Sequence, residues 1–68
     1  MKQISGKALA RAVRARGWVL ARIHGSHHIF VKVGRRERIV IPIHANQPLK
    51  TGLLRSLMKI AELGEEDV

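Results

Sequence analysis

The sequence predicts an α+β fold in which two helices flank three strands and pack on one face of an antiparallel sheet. Apolar residues recur at helical spacing near both ends of the chain. Three short apolar runs between these regions are separated by turns that contain glycine. Because 68 residues leave room for only one core, residues 1–68 are predicted to form a single domain.

The first helix is predicted over residues 6–16. Ser5 precedes it and is suited to cap the free N–H groups of its first turn. Gly17 follows it and suits the left-handed residue that commonly ends a helix. Trp18 can then fold back onto the last helical turn. These signals place both ends of the helix.

Three strands are predicted to follow, at residues 18–24, 27–33 and 38–43. In the second strand, alternation puts three aliphatic side chains on one face of the sheet: Ile29, Val31 and Val33. The other three share the opposite face, which is predicted to be open: His28, Phe30 and Lys32. Pro42 lacks a backbone donor and marks an edge or the end of the third strand.

The second helix is predicted to begin near Lys50 or Thr51 and to extend over residues 51–63, with Gly64 ending it. Its apolar residues recur at helical spacing and form a broad stripe that is expected to be buried. Residues 64–68 form an acidic tail, which is predicted to be frayed. The sequence contains no repeat and no low-complexity linker.

The strongest compositional signal is positive charge. The chain has 13 Lys and Arg residues against 5 Asp and Glu residues, and four of those acids lie in the last seven positions. A body this basic is typical of proteins that bind nucleic acid or an acidic protein. With one Trp, one Phe and no Tyr, few rings can stack on bases, which favours recognition of the nucleic-acid backbone and shape.

No segment indicates a membrane-bound or secreted protein. The chain has no cysteine, which fits a reducing compartment. No apolar run approaches the roughly 20 residues of a membrane helix, and the N-terminus lacks the apolar region of a signal peptide. We therefore expect a soluble, cytoplasmic protein with no membrane partner.

Four histidines are the candidates for chemistry: His24, His27, His28 and His44. A zinc site is disfavoured because cysteine is absent and no carboxylate lies nearby in sequence, although His24 and His28 could approach across the first hairpin. Glu37 is the only acid before residue 62, so a Ser-His-Asp triad and a carboxylate-bound Mg²⁺ site both lack their acids. We predict neither a metal site nor a small-molecule cofactor.

Metal-free acid–base catalysis on RNA is the remaining chemistry. The segment Gly25-Ser26-His27-His28 places two imidazoles beside a tight turn, and an imidazole exchanges protons near neutral pH. The ribose 2′-hydroxyl is an internal nucleophile whose proton an imidazole can accept. Lys or Arg can stabilise the charge that develops on the phosphate. Equally, the two histidines could be a polar hairpin end without a catalytic role.

Basic residues and free N–H groups predict where phosphate binds. The turn at Gly25 and Ser26 offers backbone N–H groups. A second anion site is predicted at the start of the second helix, where free N–H groups coincide with Lys50, and Arg55 extends the positive strip. The predicted phosphate-binding residues are Gly25, Ser26, Lys50, Arg55, Lys7 and Arg22.

Several short motifs follow one another along the chain. They are Gln3-Ile4-Ser5-Gly6-Lys7, Gly17-Trp18, Gly25-Ser26-His27-His28-Ile29-Phe30, Val40-Ile41-Pro42, His44, Asn46, Pro48-Leu49-Lys50 and Leu54-Arg55-Ser56-Leu57. Over residues 3–63 the chain resembles the HicA toxin of HicA–HicB toxin–antitoxin pairs. The Gly-Ser-His-His turn and the Pro-Leu-Lys helix start, at this separation, are the most specific part of the resemblance.

The resemblance implies a fold like a double-stranded-RNA-binding domain and the activity of a ribosome-independent mRNA endonuclease. It also implies that the first histidine of the turn, His27, is catalytic and that a HicB-like antitoxin protein covers the site. The strand alternation makes His28 the second choice. The alternative is a non-catalytic double-stranded-RNA-binding module with a structural histidine pair. A third hypothesis is a protein-interaction domain whose charge serves an acidic partner.

Overall fold

The structure of the protein is a computed structural model that describes residues 3–68. Its elements are α1 (Gly6–Ala15), β1 (Val19–His24), β2 (His27–Val31), β3 (Ile39–Pro42), α2 (Thr51–Ala61) and a short 3₁₀ turn (Glu65–Asp67). The strands form one antiparallel sheet in the order β1-β2-β3. This confirms the predicted α+β fold and the order of its elements. Neither α-helix in the described part of the chain has the length and hydropathy to cross a bilayer.

Local hydrogen bonds fix both ends of α1. The Ser5 Oγ accepts a hydrogen bond from the Ala8 N–H at 3.1 Å, as expected of an N-cap. At the other end Gly17 has a positive φ of 94°, and the Trp18 N–H donates to the carbonyl of Val13 at 3.1 Å. This Schellman motif turns the Trp18 ring into the core, where it is 2% exposed.

The helices cover the face of the sheet that carries Phe30, Ile39 and Ile41, all of which are fully buried. Because β2 and β3 pair Phe30 with Ile39 and His28 with Ile41, His28 shares this covered face. The prediction that His28 and Phe30 lie on the open face was therefore wrong. The ring of Phe30 removes more apolar surface from water than Ile29 could at the same place in the core.

The opposite face of the sheet, called the open face below, is exposed to solvent. Val19 in β1 is 60% exposed on this face, and Val40 in β3 is 40% exposed. His27 belongs to the same face, since it pairs with His24 of β1 and with Pro42 of β3. One imidazole of the histidine pair therefore faces away from both helices.

The strands are shorter than predicted. β2 ends at Val31, two residues before the predicted end, because the chain turns there. The Lys32 carbonyl accepts a hydrogen bond from the Arg35 N–H at 3.0 Å, so this backbone group is satisfied within the turn. Val33 is 98% exposed in that turn and is not part of an apolar sheet face. β1 starts one residue later than predicted, and β3 loses one residue at each end.

α2 ends at Ala61, two residues earlier than predicted, because Glu62 adopts a left-handed conformation with φ 59°. The Leu63 N–H then donates to the Met58 carbonyl at 2.9 Å. Gly64 therefore does not end the helix. The prediction chose Gly64 because glycine adopts a positive φ most easily. In the structure the helix ends earlier, and Leu63 packs into the core, where it is 9% exposed.

The acidic tail is folded, which corrects the prediction that it is frayed. The Arg16 guanidinium donates to both carboxylate oxygens of Asp67, at 2.8 and 2.9 Å. The Gly64 N–H donates to the same carboxylate at 2.8 Å. The hydrogen bond from Arg16 holds the pKa of Asp67 below its ordinary value. This pairing ties the 3₁₀ turn to the end of α1, across 51 positions of sequence.

Arg35 links the loop between β2 and β3 to the end of α2. Its Nη2 donates to the Ile60 carbonyl at 2.9 Å, and its Nη1 donates to Glu62 at 3.0 Å. The guanidinium carbon lies 5.6 Å from the centre of the Trp18 ring. A hydrogen bond from Arg35 also lowers the pKa of Glu37. This cation serves the fold and is not a candidate for binding phosphate.

The first residue of α1 packs against the end of β3. A methyl group on Gly6 would overlap the carbonyl oxygen of Pro42 and crowd Ile43. We expect Gly6→Ala to lower the free energy of unfolding by about 1–3 kcal/mol despite the higher helix propensity of alanine. Urea unfolding measures this. Gly52 has open space around it and is the control, because Gly52→Ala should stabilise by up to about 1 kcal/mol. If both substitutions raised the free energy of unfolding equally, the close contact between Gly6 and the end of β3 would be contradicted.

Candidate functional site

The hairpin between β1 and β2 carries the predicted catalytic turn. Gly25 has a φ of 63°, the positive value required at the first central position of a two-residue II′ turn. The turn places His24 directly opposite His27 as the last residue pair of the hairpin. Both imidazoles are exposed and lie on the open face. The glycine therefore sets the position of two histidines at once.

Ser26 ties this turn to the end of β3. Its carbonyl oxygen accepts a hydrogen bond from the Ile43 N–H at 2.9 Å and lies 3.2 Å from the His28 Nδ1. Since a carbonyl oxygen can only accept, Nδ1 carries the proton in this contact, and the Nε2 of the neutral ring is left as an acceptor. The Ser26 Oγ lies 3.4 Å from the His44 Nε2. All four histidines of the chain therefore surround one turn.

The two candidate catalytic histidines lie on opposite faces of the sheet. His27 is exposed on the open face, together with Arg22, which pairs with Ile29 of β2. His28 is half-buried on the covered face. Adjacent residues of a strand alternate in this way, so the hairpin presents one imidazole to each side of the sheet.

A groove between α1 and β2, called the α1 groove below, brings His28 together with cations. It has a volume of about 320 Å³ and is lined by Lys7, Ala10, Arg11, Arg14, His28, Phe30 and Ile43. The three cations lie on one side of α1, because residues spaced by four and three positions are neighbours on a helix. The Arg14 guanidinium carbon is 5.7 Å from the centre of the Phe30 ring, a cation–π contact. No acidic residue lines the groove.

A second cleft, of about 220 Å³, lies at the start of α2 and has both Lys50 and His44 in its lining. Lys50 is the N-cap residue, but its side chain does not cap the first turn. The N–H groups of that turn therefore have no side-chain acceptor, as at the helix starts that bind anions. The Leu49 N–H donates to the Ile4 carbonyl at 2.8 Å, which holds this loop beside the start of α1.

The predicted phosphate-binding residues are divided among several surfaces. Lys7 lines the α1 groove, and Lys50 lines the cleft at the start of α2. Arg22 lies beside His24 at the end of β1. Arg55 lines a different cleft of about 450 Å³ at the end of α2. The structure therefore places Lys7 in the same groove as His28, whereas Arg55 lies in a cleft that does not include the Gly25-Ser26 turn.

The sequence patterns did not single out Arg11 or Arg14. With Lys7 they recur at positions i, i+4 and i+7, a spacing that could have identified a cationic side of α1. The tertiary fold brings that side of α1 close to His28, and no local sequence pattern indicates this proximity. Within residues 3–68, no three His, Cys, Asp or Glu side chains are grouped so that they could hold a metal ion.

Comparison with known proteins yields one family. The family model described as "HicA toxin of bacterial toxin-antitoxin" matches residues 6–63 of the chain. The matched segment begins at the first residue of α1, includes the three strands and α2, and contains the turn at Gly25 and Ser26. It also contains every lining residue of the α1 groove. No curated protein matches the chain.

Proposed function

The chain belongs to the HicA toxin family of bacterial toxin–antitoxin systems, and on that premise we propose that it is a metal-independent endoribonuclease that cleaves mRNA in the cytoplasm. The observation that carries the proposal is the exposed imidazole of His27 at the tip of a hairpin on a strongly basic chain. Glu37, the one acid before residue 62, pairs with Arg35. The scarcity of carboxylates favours an imidazole over a metal-bound water as the catalytic group.

In this mechanism His27 accepts the proton of a ribose 2′-hydroxyl as that oxygen attacks the adjacent phosphorus. The new bond joins phosphorus to the 2′ oxygen, the bond to the 5′ oxygen breaks, and the leaving oxygen takes up a proton. His24 stands opposite His27 in register. The Cβ atoms of directly opposite residues on neighbouring strands lie about 5 Å apart, so a protonated His24 is within reach to donate that proton. Arg22, on the same face, stabilises the charge that develops on the phosphate oxygens.

Family membership implies an antitoxin partner, and a HicB-like protein that covers the open face would control the activity. Val19 and Val40 are 60% and 40% exposed on that face. Exposed apolar side chains on the same sheet face as a catalytic group are typical of a surface that a partner buries. A protein bound there would exclude RNA from His27, which lies on the same side of the sheet.

Incubation of the purified protein with an mRNA in the presence of EDTA tests this function. We expect cleavage to persist in the chelator, since no step of the mechanism uses a metal ion. RNA that is bound but never cut would instead identify a non-catalytic double-stranded-RNA-binding module. Cleavage that stops in EDTA and returns with added Mg²⁺ would assign the reaction to a metal-bound water and contradict the proposal.

A further inference from the structure

We propose that the α1 groove is a binding site for the RNA backbone beside the cleavage site. In it Arg11 and Arg14 hold phosphate, and His28 accepts a hydrogen bond from a ribose 2′-hydroxyl. The identity of the ligand rests on the proposed function, but the roles fall on residues that the catalytic step does not use. His28 recognises RNA on one side of the sheet, while His27 performs catalysis on the other.

The charge of the groove is suited to a phosphate chain. Its three cations are exposed, and the ion pairs within residues 3–68 involve Arg16 and Arg35 instead. From Lys7 to Arg14 the helix advances about 10 Å, so the cationic side of α1 is long enough to contact more than one phosphate. The volume of about 320 Å³ is at the lower end of the range for small-ligand pockets, which suits part of one nucleic-acid strand.

Arg14 is already held in place before a ligand arrives. Its guanidinium lies over the buried Phe30 ring, and a planar group packed on a ring has less freedom to lose when it binds. The side chain is exposed, so the remaining donors of the guanidinium are accessible from the groove. Arginine in this state binds phosphate with two parallel hydrogen bonds or stacks on a base.

His28 is the feature that favours RNA over an acidic protein. Aspartate and glutamate side chains offer only acceptors when ionised, and cations alone would suffice to bind them. The contact between the His28 Nδ1 and the Ser26 carbonyl leaves Nε2 of the neutral ring as an acceptor. A ribose 2′-hydroxyl can donate to it, and this group distinguishes RNA from DNA. The groove thus combines phosphate donors with one acceptor suited to ribose.

The groove also begins one residue from the proposed catalytic residue, because His28 lines it. His27 and His28 are neighbours in sequence, and their Cα atoms are about 3.8 Å apart. An RNA strand whose scissile phosphate lies at His27 therefore passes around the hairpin tip to reach the groove. The groove then holds a nucleotide next to the one that is cleaved, and this contact contributes to RNA affinity and not to the chemical step.

Binding of a single-stranded DNA oligonucleotide tests the phosphate contacts without cleavage, because DNA lacks the nucleophile. We expect the double variant Arg11→Gln/Arg14→Gln to weaken binding and to flatten the log–log salt dependence by about 1.4, or about 0.7 for each lost contact. Arg36→Gln/Arg38→Gln is the matched control, since it removes the same charge from exposed residues outside the groove. Equal effects of the two double variants would overturn the site.

Two variants of His28, made in a His27→Ala background that leaves RNA intact, test the contact with ribose. His28→Asn keeps a donor near the position of Nδ1, whereas His28→Gln places a polar group near that of Nε2. We expect the parent to bind RNA more tightly than DNA of the same sequence. That preference should fall about fivefold in His28→Asn, the scale of one hydrogen bond, and fall less in His28→Gln. Thermal unfolding verifies that each variant folds.

The outcomes separate this site from the nuclease activity. An unchanged preference for RNA in His28→Asn would overturn the role of His28. Competition by polyglutamate as effective as that of RNA at equal charge would assign the groove to a protein partner. If the groove variants lose binding while the wild type never cuts RNA, the binding site stands and the proposed nuclease activity fails.

Discussion

Replacing His27 with alanine should lower the rate of RNA cleavage by about 10²–10⁴, the usual contribution of a positioned proton-transfer group. His27 is exposed at the hairpin tip, so the variant should fold as the wild type does. RNA affinity should change little, because the proposal assigns the phosphate contacts to Lys and Arg. Single-turnover cleavage with protein in excess measures the rate apart from binding.

His28→Ala is the matched control, because it removes an equivalent ring from the adjacent position on the opposite face. We expect it to weaken RNA binding while the rate at saturating protein stays near that of the wild type. Equal losses of rate would show that the two histidines act jointly. A loss confined to His28 would move catalysis into the α1 groove. If His27→Ala unfolds the protein, His27 is structural and the proposed mechanism fails.

The sequence predicts best what neighbouring residues decide. Ser5 caps α1 through a group three positions away, and Gly17 with Trp18 closes the same helix within one turn. The turn at Gly25 is equally local, since a two-residue loop between strands restricts which residue types fit. These signals need no knowledge of the tertiary fold, and they fix the order of elements that the structure confirms.

Which face of β2 is buried could not be read from alternation. A period of two separates His28 and Phe30 from Ile29 and Val31, but both sets contain large apolar side chains. The three aliphatic residues outnumber the single ring, which made the wrong face look apolar. The covered face is set by the joint packing of Phe30 with Ile39 and Ile41 under the helices, and the sequence of one strand does not contain that information.

Contacts between distant residues were also beyond the sequence patterns. Arg35 fits between Trp18 and the end of α2, and Asp67 pairs with Arg16 across most of the chain. Arg16 and Arg35 are two of 13 Lys and Arg residues in the chain, and no spacing in the sequence marks their partners. The same limit applies to the α1 groove, whose cations were visible as a helical series but whose histidine comes from β2.

A substrate with a single 2′-deoxyribose at the scissile position should resist cleavage completely. Under the proposed mechanism the attacking oxygen is the 2′-hydroxyl of that nucleotide, and neither His27 nor any cation can replace a missing nucleophile. We expect the unmodified RNA to give a 2′,3′-cyclic phosphate and a 5′-hydroxyl. Gel separation of end-labelled fragments and mass spectrometry of the products measure both results.

The position of the deoxyribose supplies the control. A deoxyribose on an adjacent nucleotide should leave cleavage possible, because the nucleophile is intact, and should at most weaken binding if it removes a hydroxyl that His28 contacts. A cut at the modified position would require an external nucleophile such as water. A 5′-phosphate on the product would show that the bond between phosphorus and the 3′ oxygen had broken, which attack by the 2′-hydroxyl does not do. Either result would remove the 2′-hydroxyl from the mechanism. His27 would then have to act on water instead of on the 2′-hydroxyl.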